Sequence, residues 1–122
     1  MVHETVNENK YLMISPIVIN NYLLLGNRGK KIDVINCDNR EFIEPIKIEH
    51  DYIMISFLKL NDNTFIGADG AGNIHVFNIG KEKIELKYTF RTNDYHSSLL
   101  EKYKDNIIIV GSADGIKLWE IE

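Results

Sequence analysis

Three stretches of the chain carry the same order of apolar and polar positions. They are YLLLGNRGKKIDVINCDN (22–39), TFIGADGAGNIHVFNIGK (64–81) and IIIVGSADGIKLWEIE (107–122). Each runs from an apolar segment through a glycine and a polar, Gly-containing turn into an alternating segment. The alternating parts are Ile32-Asp33-Val34-Ile35, Ile74-His75-Val76-Phe77 and Ile116-Lys117-Leu118-Trp119. They are short and rich in β-branched or aromatic side chains, which is the composition of strands. Asp69-Gly70 and Asp114-Gly115 accept the positive φ of tight hairpins, so they predict turns at 69–73 and 113–115, with a third at 26–31. Further strand-like runs precede the hairpins at 12–19, 53–60 and 97–100, and outer strands follow at 42–48 and 84–90. The stretch HSSLLEKYKD (96–105) also reads as a helical turn. No segment sustains helical periodicity over about 11 residues.

The repeat has a period. Ile35, Phe77 and Trp119 are spaced 42 and 42 residues apart, and Gly26, Gly67 and Gly111 are spaced 41 and 44. Periods of about 40–45 residues belong to four-stranded propeller blades. The expected fold is therefore all-β, a partial propeller of about three blades of four antiparallel strands. The units run over about 10–50, 51–94 and 95–122, with 2–6 supplying an additional outer strand. That makes 12 strands in a single propeller segment.

At this point the chain resembles the WD-repeat family. GSADGIKLWEIE is close to the family's turn-and-strand ending, with Glu120 where aspartate is usual. Val34-Ile35-Asn36 and Val76-Phe77-Asn78 stand where Leu-Trp-Asp is typical, and Glu49-His50 and Tyr95-His96 are the nearest equivalents of the family's Gly-His pair. The resemblance implies a hydrogen-bond network bracing the last blade, formed by His96, Ser112, Asp114 and Trp119. In the second blade it implies a partial network of His50 and Asp69. All of these roles are structural. The resemblance also implies a rigid disc whose loops and rims hold protein partners. Propellers close with about four to eight blades. Three blades therefore predict either a piece of a longer propeller or closure with another copy or another protein, and an isolated monomer that is not a stable species. One route to closure is exchange of the 2–6 strand between copies.

Composition narrows the function classes. The chain has 122 residues, 44% hydrophobic and 26% charged, enough for one domain with a core. Its net charge of −4 comes from intermixed acids and bases, and the tight basic cluster Arg28, Lys30 and Lys31 reads as a solvated loop. A nucleic-acid partner is disfavoured. The single cysteine, Cys37, excludes an internal disulfide and reads as a packing or loop residue, which suits an intracellular setting, cytoplasmic or nuclear. The polar start MVHETVNENK is not a signal peptide, and no apolar run nears the about 20 residues of a membrane span.

The motifs that suggest chemistry do not hold their spacing. GADGAGN (67–73) lacks the third glycine of a dinucleotide fingerprint and leads into a strand, and GNRGKK (26–31) lacks a phosphate-loop spacing. Asp69 with Asn73 does not fill a calcium loop, and His3, His50, His75 and His96 have no zinc-ligand spacing. No catalytic residue, cofactor or metal is expected. His75 alternates with Ile74 and Val76, so it faces outward or bonds a neighbouring strand. The preferred reading is a non-catalytic scaffold for protein partners. Its candidate partner-binding residues are Asn27, Arg28, Lys30, Asn73, Arg91, Asn93, Asp94 and Tyr95, which sit at loops and include the Arg and Tyr types common in binding hot spots. The alternative is an enzyme or ligand-binding propeller using the central channel. The innermost runs offer it mainly apolar and hydroxyl side chains.

Overall fold

The computed structural model describes residues 16–26, 31–48, 54–69, 71–80, 83–92, 99–112 and 115–122. Every helix or strand element among them is a β-strand, and the twelve strands form three antiparallel sheets. The first sheet contains β1 (Ile17–Ile19), β2 (Tyr22–Gly26), β3 (Lys31–Asn36), β4 (Glu41–Phe42) and β5 (Ile46–Lys47), with β4 and β5 both paired to β3. The second contains β6 (Met54–Asn61), β7 (Thr64–Asp69), β8 (Asn73–Ile79) and β9 (Ile84–Arg91), paired in chain order. The third contains β10 (Leu99–Lys104), β11 (Ile107–Ser112) and β12 (Gly115–Glu120). Each sheet is thus a meander of chain neighbours, joined by short hairpins as antiparallel pairing permits.

Two elements differ from the sequence reading. The outer strand expected at 42–48 is split into β4 and β5, and Pro45 lies in the gap. Proline has no N–H to give the ladder and its φ is fixed, so pairing with β3 breaks there. The ambiguous stretch 96–105 is strand rather than helix over its described part, and it runs to Lys104 instead of ending at 100. Buried Leu100 between exposed Leu99 and Glu101 is a period of two, and a bulge between Lys102 and Lys104 absorbs the irregularity. The expected strand at 2–6, the turn residues 27–30 and 113–114, and the 12–15 part of the first run lie outside the described residues.

Strand register shows which positions are equivalent. Ile35 faces Leu23, Phe77 faces Phe65 and Trp119 faces Ile108. The glycines share a row only in part: Gly26 and Gly111 pair with the equivalent Ile32 and Ile116, whereas Gly67 pairs with His75, one position away. The 42-residue spacing is therefore structural, and the uneven glycine spacing is not.

The first hairpin of each sheet turns on two residues, Asn20-Asn21, Asp62-Asn63 and Asp105-Asn106. Asn20 and Asp105 adopt φ of 54° and 33°, a region that Asn and Asp enter more readily than other side chains. The carbonyl of the second turn residue then accepts a bond from the end of the third strand or the residue just after it. The three bonds are Cys37 N–H to Asn21 at 2.8 Å, Ile79 N–H to Asn63 at 2.7 Å and Ile121 N–H to Asn106 at 2.7 Å. The same hydrogen bond recurs in all three sheets.

The sheets stack face to face around two cores. Ile19, Leu24, Ile32, Val34, Ile46 and Ile48 of the first sheet meet Phe57, Phe65, Phe77, Ile79 and Ile84 of the second. Phe65 stacks on Phe77 at 4.6 Å between ring centres, and Phe57 meets Phe65 edge-on. The opposite face of the second sheet, with Leu60, Ile66, Ala68, Ile74 and Val76, meets Leu100, Ile108 and Val110 of the third. Alternation along β8 therefore buries both of its faces, each against a different neighbour. Trp119 is half-buried and packs on Phe90 at 5.0 Å.

Candidate functional site

The densest polar cluster lies where β7 turns into β8. Asp69 ends β7, and its carboxylate folds the turn back on itself. Oδ1 accepts the backbone N–H groups of Ala71 at 2.9 Å and Asn73 at 3.1 Å, and the Asn73 amide donates to Oδ2 at 3.0 Å. Gly72, at φ 87°, supplies the left-handed residue this tight return requires. His75, two residues into β8, places Nε2 at 2.9 Å from Asp69 Oδ2 and Nδ1 at 2.8 Å from Thr89 Oγ1 on β9. Asp69 and His75 are fully buried. The next strand end is tied in as well: Thr92 donates its N–H at 2.8 Å and its hydroxyl at 3.0 Å to the carbonyl of Gly72.

Burial pushes the Asp69 carboxyl up, and the hydrogen bonds from His75, Ala71 and Asn73 together outweigh it and hold the group below its ordinary value. Asp69 is therefore a carboxylate, and the His75 nitrogen facing it carries the proton. Thr, His and Asp in sequence suggest a nucleophile, a base and an orienting acid. Here the base and the acid are both sealed from solvent, and the Thr89 backbone is paired with His75 inside the sheet. The arrangement locks a turn to two strands. At the equivalent row of the other sheets stand Asp33, which burial pushes up, and Lys117, whose ammonium donates to the Thr92 carbonyl at 3.3 Å. Among the described residues no group of three or more His, Cys, Asp and Glu side chains could hold a metal ion.

The structure distributes the expected residues unevenly. Of the bracing set, Asp69 sits at the centre of a network, but its histidine partner is His75, from the same hairpin. His50, His96 and Asp114 lie outside the described residues, as do Asn27, Arg28, Lys30, Asn93, Asp94 and Tyr95 of the partner-binding set. Ser112 closes β11 opposite Gly115. Trp119 faces the second sheet, with its Nε1 buried and without an acceptor among the described residues. Asn73, expected as an exposed contact residue, is only 4% exposed, because Asp69 draws its amide inward. Arg91 is exposed at the end of β9, opposite Asn73. Sequence reasoning missed Thr89 and Thr92. Nothing in their local pattern marks them, since their partners lie 14 and 20 residues away.

Two surface features complete the site. A cleft of about 400 Å³ lined by Tyr88, Phe90, Trp119, Glu120 and Glu122 lies beside β12, where the third sheet has no fourth strand among the described residues. Strand β10 exposes Glu101, Lys102, Tyr103 and Lys104, a more charged set than the short run expected there.

No family model matches the sequence, and no curated protein matches it. Among solved structures the chain is similar to the computationally designed Ika8 protein, with 20% identity and a TM-score of 0.68 over 87% of this chain and 32% of that one. It is similar to the computationally designed Ika4 protein, with 22% identity and a TM-score of 0.60 over 88% and 64%. It is also similar to the Cps50 (Swd1) β-propeller domain of Myceliophteria thermophila, with 13% identity and a TM-score of 0.62 over 82% and 34%. The chain thus spans between a third and two thirds of these structures' lengths. At these identities the likeness concerns the fold, and three stacked antiparallel meanders are a β-propeller-like segment.

Proposed function

We propose that the chain is a non-catalytic interaction module, a WD-repeat-like propeller segment that holds protein partners at its rim within a larger assembly. The observation that carries this reading is the fate of the polar chemistry. Asp69, His75, Asn73 and Thr89 spend their hydrogen bonds on one another inside the blade. A rim stiffened in this way loses little freedom when a partner docks, which favours affinity. Arg91 sits at that rim, and Asn27, Arg28, Lys30, Asn93, Asp94 and Tyr95 are its further candidates. The test is affinity capture with the parent and with Arg91→Ala and Tyr95→Ala variants, alongside Thr89→Val. The expected result is a protein retained by the parent, lost with the rim variants and kept by Thr89→Val. Turnover of a small molecule that depends on His75 or Thr89 would overturn the reading.

A ligand in the central channel is the second reading, favoured by the exposed charged side chains of β10, Glu101, Lys102 and Lys104. It predicts small-molecule binding that Lys102→Ala or Lys104→Ala weakens and Arg91→Ala leaves unchanged.

A further inference from the structure

The large apolar side chains left exposed among the described residues are Val18, Phe42, Leu99, Tyr103, Ile116 and Leu118. All but Tyr103, which sits in the β10 bulge, gather on the two ends of the stack. Leu99 and Ile116 both pair with Gly111, and Leu118 pairs with Ile109, so these side chains share the face of the third sheet turned away from the second. A Cβ at Gly111 would come within 3.1 Å of Leu99, so the glycine leaves the Leu99 side chain room to lie across the sheet. Val18 pairs with Leu23, Leu23 with Ile35 and Ile35 with Phe42. They form a cross-strand apolar row on the face of the first sheet turned away from the second. Ile35 at the centre of that row is buried, as are Leu25 and Asp33, which pair with each other on the same face, so the middle of this face is covered and Val18 and Phe42 at its margins are open.

The two faces are of opposite kind. Ile116 and Leu118 stand where Ile74 and Val76 stand in the second sheet and Ile32 and Val34 in the first, and both of those pairs are covered by the following sheet. What covers them is a row opposite in type: Phe65 with Phe77 in one interface, Ile108 with Trp119 in the other. Leu23 with Ile35 is the same row in the first sheet. The stack therefore ends in the two halves of a contact that it already makes twice internally. Exposed apolar side chains grouped at the two ends in this way mark an interaction surface.

We propose that a second copy of this chain covers both ends, head to tail, with the third sheet of each copy packed on the first sheet of the other. The number of copies follows from arithmetic. The three sheets of the described residues give six in a pair and nine in a trimer, and propellers close at about four to eight blades. Only the pair falls in that range. A heterologous contact that closes forms a ring, and one that does not forms a filament. This inference does not rest on the rim reading above, because it concerns the ends of the stack and not its loops.

The experiment measures solution mass by sedimentation equilibrium for the parent chain, Leu118→Lys, Phe42→Glu and their equimolar mixture. Leu118 and Phe42 are 57% and 44% exposed, so neither change disturbs a core, and circular dichroism checks that the sheet is retained. Val18→Glu replaces Phe42→Glu if the latter loses sheet. The parent is expected at twice 14.1 kDa. Each single variant is expected to dissociate at least about tenfold more readily, a difference of about 1.4 kcal/mol. The mixture is expected to regain the paired mass, because one interface is then unmodified and the other sets Lys against Glu. A parent that stays at 14.1 kDa at millimolar concentration overturns the proposal, and so does open-ended growth. A pair indifferent to both Phe42→Glu and Val18→Glu shows a symmetric contact between third sheets and also overturns it.

Discussion

The imidazole of His75 lies 2.9 Å from the carboxylate of Asp69, both fully buried, and both belong to the hairpin they brace. Asp69→Asn keeps the shape, and with its carbonyl still accepting the Ala71 and Asn73 N–H groups it sets an NH2 donor against the His75 Nε2 and the Asn73 amide. Each stranded buried donor costs about 1–3 kcal/mol, so a loss of about 3 kcal/mol or more is expected in urea melts. Thr89→Val removes one neutral bond and should cost about 1 kcal/mol.

The same pair sets an acid limit. The folded Asp69 carboxyl titrates below its unfolded value of about 3.9, so its stabilisation is complete above that pH. It is lost as pH falls from about 4 through the folded value. The stability gap between the parent and Asp69→Asn should therefore narrow on acidification below about pH 4. A gap of constant size from pH 6 to pH 2 would show that the carboxylate form is not what the network selects.

The repeat offers an internal comparison of burial. Phe77 and Trp119 occupy equivalent rows, but Phe77 is fully buried and Trp119 is half-buried. Phe77→Ala should cost about 3–5 kcal/mol, the range for a large aromatic lost from a core. Trp119→Ala should cost less, about 2 kcal/mol, because it also deletes a buried indole N–H that has no acceptor among the described residues. Equal costs from calorimetry would mean that the two interfaces are packed alike.

Much of the fold was legible before any coordinates, because strands show themselves through alternation over few residues. Ile74-His75-Val76-Phe77 and its two counterparts carried the period, and the register confirms that Ile35, Phe77 and Trp119 are equivalent. The Asx-Asn turns at 20–21, 62–63 and 105–106 repeat as faithfully, yet in a chain rich in asparagine they do not stand out. The brace was half legible. Asp69 was picked out through the family pattern, but that pattern draws its histidine from an upstream loop, whereas here the hairpin supplies its own. Asn73 reads as a loop residue because its burial comes from a side-chain bond across the turn, which no local periodicity records. The open end faces follow from the blade count, but naming Phe42 or Leu118 required the strand register.

Asn20 tests whether adjacent sheets are coupled through their turns. Its amide donates to the carbonyl of Asp62, the equivalent turn one sheet on, at 2.9 Å, while its own φ of 54° is left-handed. Asn20→Ala loses the bond and takes on the about 1–2 kcal/mol penalty of that region for a residue with a plain Cβ. Asn20→Gly loses the bond alone. Melts should rank the parent first, then the glycine variant, then alanine. Alanine ranking above glycine would mean that the turn relaxes to negative φ at no cost.

Asp33 should show the opposite pH response to Asp69. It occupies in the first sheet the row held by His75 and Lys117 in the others, and it is buried. Burial raises its folded pKa above the unfolded value, so the folded chain binds the proton more tightly. Its contribution is fully present below the unfolded value of about 3.9 and is lost as pH rises through the raised folded value. Asp33→Asn removes that ionisation. The stability of Asp33→Asn relative to the parent should therefore increase from about pH 4 upward and level off once the parent's carboxyl is fully ionised, while the Asp69→Asn deficit widens over the acid range below it. Stability measured by urea titration across that range separates the two carboxyls. A relative stability of Asp33→Asn that falls with rising pH would mean that the ionised Asp33 carboxylate is held by a favourable partner strong enough to outweigh its burial.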